Sequence, residues 1–93
     1  MPSNVELTAE SVSDLAVATG LRVVYWLFVE AKATGGAWSL EDGTDDTGTV
    51  KISGDILANT AYYFDWTHKP LEMKTGLFLD IAGTNVKMSV GYS

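Results

Sequence analysis

The 93-residue chain has no cysteine, so neither a disulfide nor a thiolate metal site can stabilise it. That is compatible with folding in a reducing cytosol. Basic residues are scarce: six Lys and Arg stand against twelve Asp and Glu, for a net charge of -6 and a pI of about 4.4. No basic stripe is present to neutralise phosphates, so nucleic acid is not an expected partner. Histidine occurs once, as His68, and proline only as Pro2 and Pro70. Long apolar runs are missing too. The longest, Val23 to Val29, falls far short of the roughly 20 residues a membrane helix needs. The N-terminus, Met1-Pro2-Ser3-Asn4-Val5-Glu6, has no basic segment followed by an apolar one, so no signal peptide is expected. These absences predict one soluble, acidic domain without a membrane partner.

Apolar and aromatic residues, by contrast, are plentiful. They make up 46% of the chain and include three Trp, four Tyr and three Phe. A core can be built, but at this length conformational entropy offsets nearly all of what burial contributes. Neighbouring subunits often supply the difference, which favours an oligomer.

Glycines at 20, 35, 36, 43, 48, 54, 76, 83 and 91 punctuate the chain with turns. Between them lie short β-branched and aromatic runs, the spacing of a sandwich or barrel. The fold class expected is therefore all-β: a small antiparallel β-sandwich or jelly-roll-like barrel of about seven to eight strands. Residues 1–19 are read as an N-terminal arm with the first strand or strands, and 20–93 as the sandwich.

Leu21–Ala33 is the plainest strand, dominated by β-branched and aromatic residues. Strict alternation would put Val23, Tyr25, Leu27, Val29 and Ala31 on one face, and Val24, Trp26, Phe28 and Glu30 on the other. Both faces are apolar, which predicts a central strand covered on both sides. Thr34-Gly35-Gly36 reads as a hairpin turn into Ala37–Glu41. Val50–Ile52, Tyr62–Trp66, Leu71–Lys74 and Gly76–Ile81 read as further strands. Val86, Met88, Val90 and Tyr92 alternate with Lys87, Ser89 and Gly91, closing an expected final hairpin with Gly76–Ile81. Ser11–Thr19 reads as a strand in preference to a short helix capped by Ser11.

Catalytic signatures are sparse. His68 has Asp65 three residues before it, which invites a base–carboxylate pair, but in a strand the two would point to opposite faces. The loop Glu41-Asp42-Gly43-Thr44-Asp45-Asp46-Thr47-Gly48 offers oxygen ligands of the kind Ca²⁺ takes. Against the EF-hand pattern it has Thr47 where Gly belongs and Ser53 where the closing Glu belongs, so a plain acidic turn is the preferred reading. Trp26, Trp38, Trp66, Tyr25, Tyr62 and Tyr63 are the raw material of either a core or a sugar-stacking platform. Tyr62 and Tyr63 are adjacent, so one of them must face away from the core. No catalytic residue, metal ligand or cofactor is assigned. The candidate interface residues are Val5, Leu7, Tyr62, Tyr63 and Trp66.

From Gly20 onward the order of features resembles a family of small phage and prophage virion structural proteins. The pieces that carry the likeness are Gly20-Leu21-Arg22-Val23-Val24-Tyr25-Trp26-Leu27-Phe28-Val29-Glu30, Trp38-Ser39-Leu40-Glu41-Asp42-Gly43, Phe64-Asp65-Trp66 with Pro70-Leu71, and Gly76-Leu77-Phe78-Leu79-Asp80-Ile81-Ala82-Gly83-Thr84. They are turn-and-strand patterns, not chemistry. The resemblance implies a β-sandwich that decorates or cements a capsid, or sits in a tail or fibre. The partners it implies are the major capsid protein and copies of the chain itself, as a trimer, within the virion. A carbohydrate- or receptor-binding module, with or without Ca²⁺ in the 42–48 loop, is the alternative.

Overall fold

Sheets with one apolar face and one polar face are stable only when two such sheets bury their apolar faces together. The computed structural model, which describes residues 6–82 and 85–93, has that arrangement. Among the described residues there are nine strands and no helix: β1 (Leu7–Ser11), β2 (Leu15–Thr19), β3 (Arg22–Ala31), β4 (Gly36–Asp42), β5 (Thr49–Ile56), β6 (Ala61–Asp65), β7 (Leu71–Met73), β8 (Gly76–Ile81) and β9 (Val86–Tyr92). All pairings are antiparallel. The first sheet, A, runs β1-β9-β3-β6, with β7 continuing the edge beside β3; the second, B, runs β2-β8-β4-β5. The expected small β-sandwich is present.

The core lies between the sheets. Leu27 and Val29 of β3 and Val86, Met88 and Val90 of β9 meet Leu40 of β4 and Leu77 and Leu79 of β8, all fully buried. The alternation read in β8 and β9 therefore marks the core correctly. Residues 11–19 form a turn and a strand, not a helix: the Ser11 hydroxyl bonds the Ser13 backbone, and β2 starts at Leu15. Leu7–Ser11 and Leu15–Thr19 are edge strands, one in each sheet.

Two expected hairpins are not hairpins. β3 lies in sheet A and β4 in sheet B, so Thr34–Gly36 carries the chain across the sandwich instead of turning it back. β8 and β9 are likewise in different sheets, and β9 inserts between β1 and β3. Turn chemistry alone does not say which sheet the next strand joins. The strand expected over Val50–Ile52 is also longer, extending to Ile56.

The face assignment in β3 changes as well. Val24 pairs with Tyr92 and Trp26 with Gly91, so two steps on β3 match one on β9. This bulge at Tyr25 slips the phase: Val24 joins Leu27, Val29 and Ala31 in the core, and the Tyr25 hydroxyl shares a 2.8 Å hydrogen bond with Ser93 Oγ. Trp26, Phe28 and Glu30 then face outward. β3 is central, but only its inner face is covered.

A charged clip holds the other end. Asp42, ending β4, accepts backbone N–H bonds from Lys74 (2.8 Å), Thr75 (2.7 Å) and Gly76 (3.2 Å). Burial pushes its carboxyl up, but the three donors outweigh that and hold it below the usual range.

Candidate functional site

The outer face of sheet A has large side chains where an exposed sheet would ordinarily carry polar ones. Register explains the pattern. One row across the sheet is Thr8, Gly91, Trp26 and Asp65; the next is Glu10, Ser89, Phe28 and Tyr63; the third places Lys87 beside Glu30 and Ala61. Small residues on β9 alternate with large ones on β3 and β6, and the result is a groove of about 720 Å³.

Gly91 sets the position of the main ring. A Cβ at that position would lie 2.1 Å from Trp26 Nε1 and 2.5 Å from Cε2, so the indole rests directly on the β9 backbone. From there it meets Tyr63 at a centroid distance of 6.4 Å with planes 28° apart. Phe28 approaches Tyr63 at 6.5 Å and 54°. Tyr63 is 59% exposed. The three rings thus form a continuous aromatic strip with no covering layer among the described residues.

Charge borders the strip. Lys87 Nζ lies 2.9 Å from Glu30 and 3.7 Å from Glu10. The hydrogen bond to Glu30 raises the Lys87 pKa, and the same bond lowers that of Glu30, so both stay ionised across the neutral range. Trp26 Nε1 donates to Glu6 Oε2 at 3.4 Å. Chemically, the groove offers apolar ring faces with hydrogen-bonding groups along the edge. It suits an apolar or aromatic anchor from a protein, or the C–H face of a sugar ring.

The five candidate interface residues separate. Tyr63 belongs to the aromatic strip. Tyr62 and Trp66 do not: Tyr62 pairs with inward-facing Val29 and is partly exposed at the sandwich margin. Trp66 stacks on Phe64 at 5.9 Å and 8°, and Phe64 in turn meets Trp38 at 5.8 Å. Leu7 pairs with Tyr92 at the β1 edge, away from the strip. Val5 lies outside the described residues. Trp26 and Phe28 belong to the strip: they lie opposite Leu27 and Val29 as alternation places them, but the second covering expected on that face is not found among the described residues. The polar alternation of Lys87, Ser89 and Gly91 in the neighbouring strand was the available signal for an open face.

The loop carboxylates are engaged by the chain itself. Asp42 holds the 74–76 backbone, and Asp45 accepts the Thr47 N–H (2.9 Å) and hydroxyl (2.5 Å), which lower its pKa. Among the described residues no group of three His, Asp or Glu side chains is placed to hold a metal ion. Asp65 accepts the Thr67 N–H at 2.9 Å, and this bond, more than the nearby His68, lowers its pKa. No base–carboxylate hydrogen bond joins Asp65 to His68. Comparison of the chain with protein-family models, curated proteins and solved structures finds no match.

Proposed function

We propose that this chain is a non-enzymatic structural domain that docks into a larger assembly through the outer face of sheet A. The observation that carries the reading is the Trp26–Phe28–Tyr63 strip, which no other described strand or loop covers, bordered by Lys87, Glu30 and Glu10. Aromatic anchors within a charged rim are the usual anatomy of a protein interface. The setting follows the sequence resemblance: a phage virion, with the domain decorating or cementing the capsid against the major capsid protein and copies of itself. Antibody labelling of intact virions under negative-stain microscopy tests the setting. Label over the capsid shell supports it, and label confined to the tail tip contradicts it.

A sugar-binding reading draws on one specific feature, the near-parallel Trp26 and Tyr63 rings with carboxylate, ammonium and hydroxyl groups beside them. Glycan-array binding that disappears on Trp26→Ala would favour it over docking to protein. An array without binding, in calcium and in chelator, would remove it.

A further inference from the structure

The opposite face of the sandwich holds a carboxylate in an unusual position. Glu41 points outward from sheet B yet is only 2% exposed. Its Oε2 accepts the Ser39 hydroxyl at 2.7 Å, while its Oε1 is buried with no hydrogen-bond partner. A buried, unpaired carboxylate oxygen is costly, so an occupant must be sought.

Its neighbour is a second carboxyl. Asp80 on β8 pairs with Ser39 on β4, which puts it diagonally beside Glu41 on the same face and within hydrogen-bond reach of it. Asp14, in the turn before β2, approaches from the third side with its Oδ1 on the Ile81 N–H at 2.8 Å. Asp55 on β5 lines the same shallow groove, and none of its lining residues is Lys, Arg or His. Asp14 and Glu41 thus both act on Asp80, from a turn and the neighbouring strand, while Asp55 lies farther along a groove whose lining holds no positive side chain.

We infer that Asp80 and Glu41 share one proton, so that the outer face of sheet B changes its charge in mildly acidic solution. Two ionised carboxylates act only as acceptors, whereas a protonated Asp80 is a donor that Glu41 can accept. Sharing a proton supplies the missing bond and removes one charge from the cluster. Burial, the Glu41 contact and the Asp14 charge together push Asp80 up to about 6. A carboxyl raised in the folded state holds its proton more tightly there than in the unfolded chain. Its contribution is therefore full below the ordinary Asp range and is lost as pH rises toward 6.

The pair is tested by titrating the side-chain carboxyl carbons of the intact chain by NMR. The expected result is a step near pH 6 at the Asp80 carboxyl, felt as a chemical-shift change at the Glu41 carboxyl beside it. An Asp80 carboxyl that titrates in the ordinary Asp range, with no response at Glu41, overturns the proposal. Asp80→Asn provides a second readout, because its amide donates to Glu41 at every pH. The natural chain should lose Tm relative to this variant as pH rises from about 4 through about 6, and parallel curves would contradict the inference. If the variant does not fold, the carboxyl titration of the natural chain still decides.

Discussion

Replacing Gly91 by Ala tests the aromatic strip at its support. The added methyl would stand 2.1, 2.5 and 2.7 Å from three atoms of the Trp26 indole, all inside contact distance. The obstacle is a partly exposed side chain at the outer surface, so the ring can swing outward and leave the strand in place. The swing forfeits the Trp26–Tyr63 contact, worth about 0.5–1.5 kcal/mol. Replacing glycine within a strand returns part of that, about 0.5–1 kcal/mol. The net loss is about 1 kcal/mol or less, a fall in Tm of no more than about 4–8 °C for a domain of this size. Binding should suffer far more than stability, because the platform is displaced while the sandwich persists. Indole N–H resonances give the assay: of the three Trp signals, Trp26 should move strongly while Trp38 and Trp66 stay near their positions. Gly35→Ala is the contrast. There the methyl would meet the Ile56 carbonyl oxygen at 1.8 Å, backbone that cannot swing aside, and loss of more than about 3 kcal/mol is expected. An unchanged Trp26 resonance with unchanged binding in Gly91→Ala would refute the placement of the ring.

Three further outcomes follow. Asp42→Ala leaves the Lys74, Thr75 and Gly76 amides without their charged acceptor, and urea unfolding should show a loss of about 2–3 kcal/mol. Because the Asp42 pKa is lowered on folding, its contribution is present above the ordinary Asp range and is lost as pH falls through the folded value. Acid unfolding of the natural chain should therefore be steeper than that of the variant. Leu27→Ala empties a fully buried site beneath the aromatic strip and should cost about 2–5 kcal/mol by the same assay. Lys87→Met removes two solvent-facing ion pairs, so stability should move by less than about 1 kcal/mol. Any change in partner binding by that variant then reports on the rim and not on folding.

Much of the architecture was legible because burial leaves a period-two trace. Val86, Met88 and Val90 are inward and fully buried, as their alternation required, and Leu77, Leu79 and Ile81 follow the same rule. What the sequence could not carry was sheet membership. Gly35 and Gly36 bend the chain in either topology, and only packing decides that β4 joins β8 and not β3. The bulge at Tyr25 was equally silent, since an extra residue inside an all-apolar run leaves no break in the pattern. That slip moved Val24 into the core, while Trp26 and Phe28 kept the phase their alternation gave and lack only the second covering layer expected over them. The carboxyl cluster was hidden for another reason: Asp14, Glu41 and Asp80 come from distant segments, and only sheet B brings them together.

The central claim is that the domain engages its assembly through the Trp26–Phe28–Tyr63 face. Co-sedimentation of the purified domain with virion shells lacking it, comparing the natural chain with Trp26→Ala and Tyr63→Ala, tests this most directly. Interface anchors of this type each contribute about 2 kcal/mol or more, so each substitution should weaken binding about 30-fold while leaving the chain folded. Folded variants that bind as tightly as the natural chain would contradict the account.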